Sequence, residues 1–81
     1  MTKTVRLYGA VGCHLCESAK RVIEQVRAEV PFELEEVDIT GDPELEPLYR
    51  ERIPVVLVDD EEAFVYFVHP DALRRRLSRD G

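Results

Sequence analysis

Gly12-Cys13-His14-Leu15-Cys16 carries both cysteines of an 81-residue chain and falls where a short apolar strand gives way to an amphipathic helix. A cysteine at a helix start sees unpaired backbone N–H groups and the positive end of the helix dipole. Both favour the thiolate over the thiol. Thiolate is the form that attacks disulfides, so this placement reads as a dithiol redox site. As a structural staple the pair is weak, because so short a loop gives only about 2 kcal/mol in the chain-entropy model. The spacing also makes the two sulfurs unequal. That of Cys13 can accept from the amides of Leu15 or Cys16 in the manner of an N-cap, whereas Cys16 lies one turn on, against the apolar body.

Upstream, Val5, Leu7 and Tyr8 form a strand that Gly9 and Gly12 interrupt. Downstream, Ala19, Val22, Ile23, Val26 and Val30 share one helical face, which predicts a helix over 14–29 stopped by Pro31. Its other face offers Glu17 with Arg21, and Lys20 with Glu24, at i,i+4 spacing. Phe32 and Leu34 alternate with glutamates, as do Val37 and Ile39 with Asp38. The segment 32–39 therefore reads as a strand whose register changes near Glu36, through a bulge or a strand end. Thr40-Gly41-Asp42-Pro43 is a turn that starts a second helix, with Asp42 as N-cap and Pro43 at its first position. That helix extends to about Arg52, with Pro47 in its first turn or splitting it.

Val55, Val56, Leu57 and Val58 form the unbroken apolar run of a strand covered on both faces. Asp59-Asp60 turns the chain into a hairpin partner over 62–67. His69-Pro70-Asp71 begins a last helix, with Ala72, Leu73 and Leu77 inward and Arg74, Arg75 and Arg76 largely outward. The order β-α-β-α-β-β-α predicts an α/β fold: a mixed four-stranded sheet flanked by helices, with right-handed crossovers first and an antiparallel pair last. The length allows one domain over 1–81, with 78–81 as a frayed tail, and a monomer is expected.

Seventeen acidic residues against eleven basic ones give a formal charge of −6, which argues against nucleic acid as a partner. No stretch has the apolar length of a signal peptide core or a membrane span, so the expected compartment is a reducing cytoplasm. There a CxxC pair is more often catalytic or metal-binding than structural. The two histidines lack the spacing to complete a zinc site with the cysteines, so no metal site is expected.

Three features together resemble the glutaredoxin-like branch of the thioredoxin superfamily across nearly the whole chain. They are Cys13-His14-Leu15-Cys16 after the first strand, Ile53-Pro54 directly before the third, and Val37-Asp38-Ile39-Thr40-Gly41-Asp42-Pro43-Glu44-Leu45 at the exit of the second. The resemblance implies a thioredoxin/glutaredoxin-like fold and a thiol–disulfide oxidoreductase that reduces protein or mixed disulfides. Cys13 would be the nucleophile and Cys16 the resolving thiol. Pro54 would be a cis-proline presenting the backbone of Ile53 to an extended substrate, at a position where the family often has Thr or Val. His14 would either raise the thiolate population when protonated or stand as an exposed first-turn residue. Arg50 and Arg52 could hold a carboxylate of glutathione or of a protein partner, with Arg52 the nearer.

The chain departs from glutathione-using members in two places. Phe67-Val68-His69-Pro70-Asp71 stands where they have a Gly-Gly turn and an acidic residue, and Pro70 has no N–H to donate. Asp71 either fills the acidic place or caps the helix, and His69 reads as a polar helix-start residue. Ala10 and Val11 stand where a lysine often precedes the CxxC. No resident cofactor is expected, with glutathione as a co-substrate and glutathione or a thioredoxin-reductase-type protein as electron donor. Two other functions fit the same residues. One is an iron–sulfur cluster carrier, which needs an external thiol such as glutathione; the other is a non-catalytic adaptor with an idle dithiol.

Overall fold

A computed structural model describes residues 2–78. Seven elements follow one another as β1 (Thr4–Gly9), α1 (His14–Arg27), β2 (Glu33–Asp38), α2 (Leu45–Tyr49), β3 (Val55–Val58), β4 (Glu61–Val65) and α3 (Pro70–Ser78). The strands order as β2-β1-β3-β4, with β1 parallel to β2 and antiparallel to β3, and β3 antiparallel to β4. Ser78 closes α3 instead of beginning a tail, and 79–81 lie outside the described residues.

Alternation along the strands sends side chains to two separate cores. On one face Val5, Leu7, Val56 and Val58 pack against Ala19, Ile23 and Val26 of α1 and Leu73 and Leu77 of α3. On the other, Tyr8, Val55 and Ile39 pack with Leu45, Tyr49 and Ile53. Tyr49 of α2 stacks on Tyr8 with ring centroids 4.5 Å apart and 13° between planes.

This two-faced burial corrects the expected slip near Glu36. Pairing of β2 with β1 runs unbroken from Thr4↔Glu33 to Gly9↔Asp38, with no bulge. Phe32 and Leu34 belong to the face that α1 and α3 cover, whereas Val37 and Ile39 belong to the opposite core. The apolar pattern changes parity because the covered face changes while the register holds. β2 lies at the edge of the sheet, and four of its six residues are acidic.

The bulge is in β4 instead, where Val56 pairs with Phe64 but Leu57 with Glu62, leaving Ala63 extra. β4 also ends at Val65, short of the expected 67. Asp59 and Asp60 take φ of 50° and 68°, the pair of left-handed residues that a two-residue hairpin loop needs.

Helix boundaries are tighter than the sequence predicts. α1 ends at Arg27. α2 is a five-residue helix ending at Tyr49, well before Arg52, and Pro47 occupies its first turn. It begins at Leu45 with Glu44 at its N-cap, so Asp42 and Pro43 precede the helix instead of opening it; the Asp42 carboxylate accepts from the amides of Glu44 and Leu45 at 2.9 Å and holds the turn that leads in.

Two of the expected surface pairs are replaced. Lys20 reaches across to Glu36 on β2 at 3.1 Å rather than to Glu24, and Glu17 lies nearest His14 rather than Arg21. Arg74 is not turned wholly outward. It bridges Glu29 behind α1 at 2.6 Å and Asp71 at 2.8 Å, tying the two helices on that face together.

Candidate redox site

Gly9 ends β1, and Ala10, Val11 and Gly12 make the turn into α1. Gly12 sits at φ 81°, a conformation that glycine adopts without steric cost. The turn closes with the Cys13 amide donating to the Ala10 carbonyl at 3.3 Å. Cys13 is extended (φ −88°, ψ 108°) and is the N-cap of α1. Its carbonyl accepts from the Glu17 amide, and its Sγ accepts from the Cys16 amide at 3.1 Å. Of the two amides available to it by spacing, the sulfur uses that of Cys16.

Cys13 and Cys16 are joined as a disulfide with Cα atoms 5.2 Å apart, the oxidised state of the pair. Cys13 is half-buried, whereas Cys16 is only 7% exposed, on the face of α1 that carries Ala19, Ile23 and Val26.

Gly9 has a role that its sequence context does not reveal. A Cβ there would lie 3.1 Å from the Cys16 Sγ and 3.3 Å from its Cβ. The missing side chain makes the room in which Cys16 sits, a contact between β1 and α1 that no local pattern announces. Beside it is a cavity of about 260 Å³, lined by Gly9, Val11, Cys16, Lys20, Glu36 and Val37 among others. The Lys20–Glu36 ion pair joins α1 to β2 at its wall, and Glu36 holds the ammonium pKa above its ordinary value. Among the described residues no polar or charged side chain is buried, so no buried carboxylate faces Cys16.

The other side of the site comes from β3. Tyr8 pairs with Val55, so the register brings Pro54 opposite Gly9 at the same end of the sheet. The Ile53–Pro54 peptide bond is cis. Pro54 is fully buried, and Ile53 packs against the Tyr8–Ile39–Val55 core. The carbonyl of Pro54 accepts from the Tyr66 amide at 2.9 Å, and the Tyr66 hydroxyl donates to the Glu51 carbonyl at 2.7 Å.

The candidate arginines are less free than their positions in the sequence imply. Arg52 donates to Glu62 and lies over the Tyr49 ring, 5.9 Å from its centroid. Its pKa is raised chiefly by the hydrogen bond to Glu62. Arg50 is exposed, with Glu46 at 3.8 Å. His14 is 98% exposed and 3.9 Å from Glu17, so it is a first-turn surface residue.

At the start of α3 the His69 carbonyl accepts from the Leu73 amide, while the His69 ring lies edge-on to Phe64. Asp71 is spent on Arg74. The structure thus brings Cys13, Cys16, Ile53 and Pro54 to one end of the sheet. Arg52 stands behind them already paired, and the sequence reading passed over Gly9 and Tyr66.

A mixed sheet in this strand order, with a cysteine pair at the mouth of the helix that follows its first strand, is a thioredoxin-like fold. Residues 4–78 match the family model described as Glutaredoxin-like domain (DUF836), and the chain belongs to that family. It is similar to the protein Ne2328 of Nitrosomonas europaea, whose solution structure covers 96% of this chain and 94% of its own at 34% identity, with a TM-score of 0.82. The glutaredoxin-like protein NrdH-redoxin of Escherichia coli covers 96% of this chain and 99% of its own at 24% identity, with a TM-score of 0.65, a likeness of fold. Among curated sequences, the uncharacterized protein Rv0508 of Mycobacterium tuberculosis is 29% identical over 80 residues, covering 93% of this chain and 82% of that protein.

Proposed function

We propose that this chain is a cytoplasmic thiol–disulfide oxidoreductase that reduces protein disulfides and mixed disulfides, with Cys13 as nucleophile and Cys16 as resolving thiol. One observation carries the reading: the Cys13 sulfur is the N-cap of α1 and accepts from the Cys16 amide, while Cys16 is buried behind it. A thiolate at that position keeps a charge-assisted hydrogen bond and faces the positive end of a 14-residue helix.

In the reduced protein the Cys13 thiolate attacks one sulfur of the substrate disulfide. The substrate S–S bond breaks, and the departing thiolate takes a proton from solvent. The new Cys13–substrate disulfide is then attacked by Cys16 after it gives up its proton. The second substrate thiolate leaves, and Cys13 and Cys16 are left oxidised. Two electrons pass to the substrate, and an external dithiol or thiol must return them.

Lowering a thiol pKa from about 8.5 to about 7 raises its thiolate fraction at pH 7 roughly sixteenfold but costs about fivefold in nucleophilicity. The net gain in attack is about threefold. The larger benefit of a stabilised Cys13 comes when it is the leaving group, on reduction of its own disulfide or on resolution of a mixed one.

The chain after β4 supports a protein donor over glutathione. The Tyr66 amide is spent on Pro54, the Phe67 amide donates to Val65, and Pro70 has no amide hydrogen. Arg52 is held by Glu62. Two of the amides after β4, and the arginine nearer the loop, are thus already engaged. NrdH-redoxin is described as glutaredoxin-like with a thioredoxin-like activity profile, the combination proposed here.

The test is reduction of insulin and of a glutathionylated protein, with glutathione and a thioredoxin-reductase system supplied separately. Activity on both substrates is expected to vanish in Cys13→Ser and to survive in part on the glutathionylated substrate in Cys16→Ser. Full activity in Cys13→Ser would remove that residue from the chemistry, and recovery of free thiols with glutathione alone would overturn the donor assignment.

A further inference from the structure

We infer that Tyr66 is a positioning residue of the redox site, holding the Ile53–Pro54 wall in place for an extended protein substrate. The inference rests on the disulfide-reductase reading above.

Tyr66 sits at φ 70°, and the Phe67 amide donates to the Val65 carbonyl at 2.9 Å across it. Those two facts define the γ-turn of positive φ, which is rare and strained, on a bulky aromatic residue for which left-handed φ is an outlier. Strain of this kind persists only where the surroundings over-determine it, and it gathers at functional sites. Here the surroundings are explicit. The same residue binds the wall twice, its amide on the carbonyl of Pro54 and its hydroxyl on the carbonyl of Glu51. Glu51 and Pro54 bracket Arg52 and Ile53, so the turn at Tyr66 staples both ends of the segment that the cis bond closes.

The turn has a second effect. Its exit sends Phe67 into solvent, 60% exposed. The amides of residues 66 and 67 are both consumed internally, so this part of the chain offers an apolar side chain where a small anionic ligand would need donors. An extended chain docking along Ile53 needs that backbone fixed in advance, whereas a small linear disulfide needs only Cys13.

Tyr66→Phe removes one oxygen and leaves the ring. KM for oxidised insulin is expected to rise about fivefold, the worth of one ordinary hydrogen bond, with kcat within twofold of wild type. Turnover of 2-hydroxyethyl disulfide is expected to be unchanged, and exchange of the Arg52 amide, which donates to the Tyr49 carbonyl at 2.8 Å, to quicken at least threefold. Tyr66→Gly accepts positive φ without strain and is expected to fold and to show the same or a larger KM defect.

Unchanged KM for insulin in both variants would overturn the inference. So would equal losses on both disulfides, or undisturbed exchange at Arg52. Wild-type protein that reduces neither disulfide would instead overturn the proposed function.

Discussion

Replacing Gly9 by alanine puts a methyl group 3.1 Å from the Cys16 Sγ and 3.3 Å from its Cβ, roughly half an ångström inside ordinary contact. Overpacking of this kind costs about 1–3 kcal/mol. Loss of a glycine from the unfolded chain returns about 0.4–1 kcal/mol, so a net destabilisation of about 1–2 kcal/mol is expected in the oxidised protein. The penalty depends on redox state. In the disulfide, the Cys16 sulfur is fixed by its bond to Cys13 and cannot move from the methyl. In the dithiol it is free to turn toward the adjoining cavity that Gly9 and Cys16 both line.

A difference of about 1.4 kcal/mol between the two states corresponds to about 30 mV, so Gly9→Ala should make the pair that much easier to reduce. Equilibration in graded dithiothreitol buffers, followed by alkylation and mass measurement, reads the midpoint. Melting both forms separately should show the oxidised variant falling by about 4–8 °C per kcal/mol and the reduced one by less. An unchanged midpoint, or an equal loss of stability in both forms, would refute the claim that Gly9 exists to clear Cys16.

Other outcomes follow from the packing and the charges. Ile23 is fully buried between α1 and the sheet, so Ile23→Ala should cost about 2–5 kcal/mol in a urea titration; a cost below about 1 kcal/mol would show that the site collapses or was never filled. Asp59 accepts from the Thr4 amide at 2.9 Å, and that hydrogen bond holds its carboxyl pKa below the usual value. A lowered folded-state pKa contributes stability that is fully present above the unfolded value of about 3.9 and is lost as pH falls through the folded one. Asp59→Asn should therefore flatten stability against pH in the acid region below about 4, and an acid transition identical to wild type would refute it.

What the sequence made legible was whatever local chemistry decides. The cysteine pair at a helix mouth, the turn that Asp42 holds before α2 and Asp59-Asp60 as a hairpin loop are each settled by neighbours within a few residues. What it hid depends on contacts far along the chain. Val37 and Ile39 change parity because α2 and Tyr8 cover the second face of the sheet, so an alternation test that assumes one buried face reports a slip where none exists.

Lys20 takes Glu36 over its helical neighbour because β2 passes beside α1. Tyr66 reads as a strand residue by type and pattern. Its left-handed turn is imposed by the carbonyls of Pro54 and Glu51, which sequence order places at a distance. Arg52 precedes the Ile53–Pro54 loop in the sequence, but its partner Glu62 arrives from another strand.

The open flank of the sheet has a bearing on how the molecule behaves in company. The unpaired backbone edge of β2 invites another strand to extend the ladder, but Glu33, Glu35, Glu36 and Asp38 crowd that border with negative charge. A twin approaching edge to edge would set those carboxylates against their own likeness, and their repulsion reaches furthest when salt is dilute. Concentrated salt is thus the condition under which strand-to-strand aggregation should first show in light scattering.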